Sequence, residues 1–258
     1  MMIWSKSEAG QAPVTVTVTD QPMLMADIRD RFARAVGFSV ATLNLDHVVK
    51  LTQDPVFYAA YADHTHVTAD GNPIVWLSRL ARQKIDLIPG SELIDPVAAL
   101  AAEMKVPVAL FGATDASLTA AARALQERYA DINVVLTLSP AMGFDPEGAD
   151  ADAAIAKLET SGARLVFLAL GAPKQEVFAA RAQKVLKQSG FLSIGAGLDF
   201  ISGQQVRAPK WVRKLAAEWL WRMLSNPKRL AKRYGACLLM LPRLTVRAAL
   251  ARRQTGQS

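Results

Sequence analysis

The chain has 258 residues, 51% hydrophobic and 21% charged, which fits a globular protein with a large core and excludes a disordered one. One cysteine, Cys237, excludes an internal disulfide and fits a reducing compartment. The net charge of +7 is unevenly spread: residues 1–204 carry 17 Lys+Arg against 22 Asp+Glu, and residues 205–258 carry 13 against one, Glu218. An acidic body with a strongly basic tail points to an anionic partner for the tail: a membrane surface, a nucleic acid or a phosphorylated ligand.

Met1 to Pro13 has no basic start followed by a long apolar run, so no signal peptide is expected. Val14-Thr-Val-Thr-Val-Thr19 alternates with the period of a strand, and Met23 to Val36 reads as an amphipathic helix. Phe38 to Leu43 is a short apolar strand ending in Thr42-Leu-Asn44. Helix follows from Asp46 to Asp63, broken near Pro55. His64 to Val67 is a strand ending in Thr68-Ala-Asp70-Gly71, then Pro73 to Arg82 and Ser91 to Glu103 are helices. Val106 to Phe111 and Ile132 to Leu138 are strands around a helix from Ala116 to Tyr129. A helix from Gly148 to Ser161 leads to the apolar run Arg164 to Leu170, which breaks at Gly171-Ala-Pro-Lys-Gln-Glu176. After a helix from Gln175 to Ser189, a second run, Phe191 to Ile194, breaks at Gly195-Ala-Gly-Leu-Asp-Phe200. Strands alternating with helices predict an α/β fold: a Rossmann-like, mostly parallel sheet with helices on both faces. Such sheets bind ligands at the carboxyl ends of their strands, where these glycine turns fall.

The tail reads as basic helices. Pro209 sits at the first turn of a helix carrying Trp211, Leu215, Trp219 and Met223. Pro227 opens another, in which Leu230, Tyr234, Cys237, Leu238 and Leu241 share a face, and Pro242 is expected to break it. No run of about 18 apolar residues is present to span a bilayer. The basic apolar-striped helix suits an anionic membrane interface; packing of the stripe on the body is the alternative. The predicted organisation is therefore a catalytic core, 1–204, and a basic helical appendage, 205–258.

Asp70, at a strand's carboxyl end before Gly71, is placed either as a general base or as a helix N-cap. Thr42 and Asn44 point to one side, to hydrogen-bond a hydroxylated substrate or to cap the next helix. Lys174-Gln-Glu176 opens a helix whose N–H groups favour an anion, and Gln175 offers a donor and an acceptor to a base or sugar. Asp199 suits ribose hydroxyls or a base N–H. Two glycines without a third, followed by Ser202-Gly-Gln-Gln in place of a helix, argue against a nicotinamide cofactor. His64 and His66 alternate on a strand, but no third ligand at sensible spacing follows, so no metal is expected. Asp150-Ala-Asp152 lies in a first helical turn, where acidic residues favour the dipole in any case.

Taken in order, these pieces resemble the WecG/TagA/CpsF glycosyltransferases, bacterial enzymes of lipid-linked surface-glycan synthesis. The matching pieces are Thr42-Leu-Asn44, Ala69-Asp70-Gly71, Pro89-Gly-Ser-Glu-Leu93, Leu110-Phe-Gly112, Leu170 to Glu176 and Gly195 to Phe200. They continue with Gly203, Arg207-Ala-Pro209, Glu218-Trp219, Trp221-Arg222 and Asn226-Pro-Lys-Arg229. The resemblance implies an inverting transfer, without metal or other cofactor, from a UDP- or GDP-linked sugar to a polyprenyl-diphosphate-linked acceptor. The sugar would be of the N-acetylmannosamine, mannose or glucuronate type. Asp70 would be the base, with Thr42 beside it near the sugar. Asn44, Gly112 and Arg207 would line the substrate site, and Gln175 and Asp199 would hold the nucleotide. Arg222, Arg229 and Lys232 would reach the departing diphosphate, with Lys232 standing where the family has arginine and Arg233 beside it. The resemblance also implies a peripheral place on the cytoplasmic face of the inner membrane, and possible self-association. The competing class is a membrane- or nucleic-acid-binding module. Nucleic acid is disfavoured because the tail lacks aromatic residues interleaved with basic ones.

Overall fold

The computed structural model describes residues 2–5, 10–204 and 227–254, the last with side chains over 233–252. Six strands form one parallel sheet: β1 (Phe38–Leu43), β2 (His66–Ala69), β3 (Val108–Gly112), β4 (Val134–Leu138), β5 (Leu165–Ala169) and β6 (Gly190–Ser193). Their spatial order is β2-β1-β6-β5-β3-β4, every neighbouring pair parallel. Near-continuous apolar strands such as Phe38–Leu43, buried at all six positions, need cover on both faces.

The helices supply that cover. α1 (Gln21–Arg34), α5 (Gly90–Glu103), α6 (Asp115–Arg128) and the short α9 (Gly197–Ile201) meet the side chains of one face, among them Val40, Leu110, Phe167 and Leu192. α7 (Ala149–Ser161) and α8 (Lys174–Val185) meet the other, around Phe111, Val166, Phe178 and Phe191. On that second face, towards β2, lie α2 (Leu45–Leu51), α3 (Pro55–Ala62), α4 (Asn72–Leu80) and α10 (Pro227–Gln254), over Ala41, Leu43, Val67 and Ala69.

Right-handed crossovers explain the division. The chain steps one way from β1 to β2 and from β4 through β5 to β6, and the other way from β2 to β3 and from β3 to β4. Opposite steps place their crossover helices, α5 and α6 against α3, α7 and α8, on opposite faces, while α4 stays on the α2 face before the chain crosses through α5. From β3 the chain leaves towards β4, whereas from the adjacent β5 it leaves towards β6, so a crevice opens at their carboxyl ends.

Local physics sets the boundaries. Asp20 caps α1, Asn44 caps α2, Asp54 caps α3 ahead of Pro55, and Thr114 caps α6, each through its side-chain oxygen.

Three expectations are corrected. Val14 to Thr19 is extended, with Val14, Val16 and Val18 buried, but it is not a ladder strand. The amides of Thr17 and Val18 converge on the Val67 carbonyl while Thr17 Oγ1 takes the Val67 amide, so the pairing does not propagate. A helix, α9, does follow the second glycine turn, packed on α5 and α6. Finally, Pro242 lies inside α10 instead of ending it. Proline forfeits one hydrogen bond, but Leu244 and Ala248 beyond it are wholly buried against Trp4, Ile74 and their neighbours, and that burial carries the helix on.

Candidate active site

A parallel sheet brings all its carboxyl ends to one edge. Along that edge stand Asp70 after β2, Asn44 after β1, Gly195 after β6, Gly171 after β5 and Ala113 after β3. Four strand spacings of about 4.8 Å separate the β2 and β3 ends, roughly 19 Å in all.

At the β1–β2 end, Thr42 pairs in register with Thr68, and the Asp70 amide donates to the Leu43 carbonyl at 2.7 Å. The cap position of α4 falls on Gly71, one residue after Asp70. Asp70 is half-buried. Thr42 is buried. Asn44 serves as the α2 cap, accepting from the His47 amide at 3.0 Å, the second of the two roles its position allows. The segment entering α5 closes over this end: Thr68 Oγ1 donates to the Ile88 carbonyl at 2.9 Å, and the Ile88 amide donates to the Ala69 carbonyl at 2.8 Å. Gly90 then presses so close that a Cβ there would lie 2.6 Å from the Ser193 carbonyl oxygen and 3.2 Å from Thr42 Cγ2. Glycine is required by the space, and the first turn of α5 reaches the β1–β6 junction as a result.

In the middle of the edge, Gln175 ties the two glycine turns together. Its Oε1 accepts from the amides of both Gly171 and Gly195 at 3.2 Å, and its Nε2 donates to Glu176 Oε1 at 2.8 Å. Its side chain is buried and occupied by the protein itself. Glu176 is wholly buried, and burial pushes its carboxyl up to about 7. Tyr61, also buried, is raised well above its ordinary value, first by burial and then by the charges of Glu176 and Asp70.

At the β3 end, Gly112 adopts φ +102°, and a Cβ there would stand 2.5 Å from the Ala169 carbonyl carbon, so β3 and β5 close tightly. Asp199, on α9, accepts from Ser117 Oγ of α6 at 2.7 Å. Ser117 escaped the sequence reading, since a serine in a first helical turn carries no distinguishing signal.

Arg207 and Arg222 lie outside the described residues, as do Pro209, Trp211, Leu215, Trp219 and Met223. Arg229 and Lys232 lie on the first turns of α10, where only the backbone is described. Arg233, the next residue, faces the body: its Nε is 3.1 Å from Asp46 Oδ1 on α2. His64 and His66 are drawn apart, with His64 Nδ1 2.7 Å from the Ala60 carbonyl oxygen and His66 Nε2 2.8 Å from Asp27 Oδ2.

The outer side of α10 is apolar too. Leu238, Leu239, Val246 and Leu250 are 54–84% exposed, while Cys237, Leu244 and Ala248 are buried on the side that meets α2 and α4. The packing alternative holds for the inner side of the helix, and the outer side is left exposed. Contrary to the expectation from uninterrupted apolar runs, Arg233–Arg252 is long and apolar enough to cross a membrane by length and composition. Here it lies against the protein.

A model of the family described as Glycosyl transferase WecG/TagA/CpsF matches residues 11–258. The chain belongs to that family, and with it to the glycosyltransferases of cell-surface polysaccharide synthesis. The family implies a nucleotide-sugar donor and a lipid-linked acceptor, and it is generally membrane-associated.

Proposed function

We propose that this member of the WecG/TagA/CpsF family transfers a sugar of the N-acetylmannosamine, mannose or glucuronate type from a UDP- or GDP-linked donor to a polyprenyl-diphosphate-linked acceptor, with inversion, at the inner membrane surface. The observation that carries the reading is the place of Asp70: a carboxylate at a strand's carboxyl end, on the same edge as Thr42, the paired glycine turns and Asp199. The acceptor hydroxyl attacks the anomeric carbon as its proton passes to Asp70. The bond from that carbon to the diphosphate oxygen breaks, and the nucleoside diphosphate departs with the electron pair. Charge gathers on the leaving diphosphate, and cationic donors from the tail offset it: Arg222, Arg229 and Lys232, while Arg207 lines the substrate site. Asp199 and the turns joined by Gln175 hold the nucleotide. Gln175 acts in this scheme by shaping the backbone, since its own oxygen already accepts two amides.

The outer apolar side of α10 and its arginines, Arg243 and Arg252, support docking on an anionic bilayer, where the lipid-linked acceptor resides. The organisation as core 1–204 plus a site-completing appendage, and self-association through the core, belong to the same proposal. The test is a thermal-shift panel of nucleoside diphosphates and their sugars on the full chain, followed by transfer assays with a lipid acceptor. A raised melting temperature with one nucleotide class, and transfer abolished by Asp70→Asn, is the expected result. No shift with any nucleotide, or undiminished transfer by Asp70→Asn, would overturn the reading.

A further inference from the structure

Behind the turn after β5, charged side chains from three elements meet in a place the scheme above does not use. Asp46 and Lys50 stand one turn apart on α2, with Lys50 Nζ 2.8 Å from Asp46 Oδ2. The other oxygen of Asp46 meets Arg233 Nε of α10 at 3.1 Å. Lys50 Nζ also donates to the Ala172 carbonyl, inside the Gly171 to Lys174 turn, at 3.1 Å. Glu176, wholly buried, lies in the field of both α2 charges: Lys50 favours its ionised form and Asp46 opposes it.

This is not an ordinary surface pair. The Asp46 side chain is 12% exposed, and its burial carries a desolvation cost that a solvated pair avoids. The gain is geometry. Lys50 divides its ammonium between a carboxylate and a carbonyl. With Arg233 on Asp46, that carboxylate is half-neutralised, and Lys50 is free to hold Ala172. With Arg233 gone, the uncompensated carboxylate draws Lys50 harder, because a full negative charge attracts an ammonium more strongly than a carbonyl dipole does. The pull does not stop at Ala172, since Gln175 links the Gly171 amide to the Gly195 amide and so to the turn that leads into α9.

We propose that Arg233, Asp46, Lys50 and the Ala172 carbonyl form a relay through which the seating of α10 sets the two glycine turns in the geometry that grips the donor's nucleotide. The relay rests on the donor-site reading above and deepens it. Asp46 and Lys50 are positioning residues: they act on the donor through the turn. Donor affinity is thereby conditional on a seated tail, so an enzyme whose α10 has lifted from the body holds its donor weakly.

The experiment is a double-mutant cycle on the full chain: Arg233→Met, Lys50→Met and both together, with Lys50→Arg as the charge-conserving partner. Amide hydrogen exchange across residues 170–176 reads the turn without any substrate. Donor KM and kcat read its consequence. Arg233→Met is expected to speed exchange in the turn about five- to tenfold and to raise donor KM by a similar factor, with kcat changed less than about twofold. In the Lys50→Met background the same substitution adds less than about twofold to either. Lys50→Arg retains most of the wild-type donor KM. Effects of Arg233→Met and Lys50→Met that multiply, or a turn whose exchange ignores Arg233→Met, would overturn the relay. Should Lys50→Met fold poorly, Asp46→Asn closes the same cycle with Arg233→Met. Coupled exchange in a chain that binds no nucleotide would uphold the relay and defeat the donor reading, so the two failures are distinguishable.

Discussion

Two carboxylates a few strands apart face opposite demands. Asp70, half-buried at the edge of the sheet, takes the acceptor's proton in the proposed scheme. Replacing it with asparagine should lower kcat on the order of 10²- to 10⁴-fold while the thermal midpoint and donor KM hold, as steady-state transfer and calorimetry would record. Glu176 is sealed beneath the turn, and its folded value of about 7 stands above its ordinary 4.5. A carboxyl raised on folding contributes stability that is fully present below about pH 4.5 and is lost as pH rises through 7. Glu176→Gln should therefore gain on the wild type by up to about 3 kcal/mol between those limits, read from urea unfolding at pH 5 and 7.5. His47, which burial lowers to about 3, acts in the opposite sense as pH falls below its ordinary 6.5, but it is common to both proteins and cancels. Asp70 was legible in the sequence, because a strand followed by Asp-Gly is a local pattern. The burial of Glu176 was not, because nothing in Lys174-Gln-Glu176 shows that α2 and α3 lie over it.

At the scale of the element, α10 has two sides with different duties. Leu244 is wholly buried beside Trp4 and Ile74, so Leu244→Ala should cost about 2–5 kcal/mol in chemical denaturation. Leu239 is 84% exposed, and Leu239→Ala should stay within about 0.5 kcal/mol while weakening binding to anionic vesicles. Equal effects of the two on stability would contradict the assignment of sides. The buried side also bears on truncation. Cutting the chain before Arg222 would uncover the apolar cluster over Ala41, Leu43 and Val67, so point variants separate membrane docking from stability more cleanly than a shortened chain. Sequence periodicity found the apolar stripe of this helix and its Pro227 start. It misjudged Pro242, because local propensity weighs one missing N–H and cannot weigh the core that residues 244–251 enter.

At the scale of the whole molecule, charge is partitioned along the chain, with net −5 over residues 1–204 and +12 over 205–258. Binding of the full chain to vesicles should require anionic lipid and should weaken steeply as salt rises from about 0.05 to 0.5 M, as cosedimentation would show. Binding indifferent to lipid charge would assign the attachment to the apolar side of α10 alone. The same polarity organises the sheet: the strand ends proposed to take the donor lie along one edge, and α10 packs at the β2 side, against α2 and α4.

Alternating strands and helices, glycine turns at strand ends and an ordered set of motifs sufficed for the parallel α/β sheet and the family. Those features are local, and short-range sterics and hydrophobic period write them directly into the chain. The sequence left open which way Asn44 and Gln175 would turn, where the cap of the helix after Asp70 would fall, and what Arg233 would meet. Asn44 and Gln175 became fastenings, the α4 cap position fell on Gly71, and Arg233 found Asp46, 187 positions away in the chain. Only packing decides such matters, because a polar group's partner is fixed by what else is buried beside it, and that neighbour is brought from far along the chain.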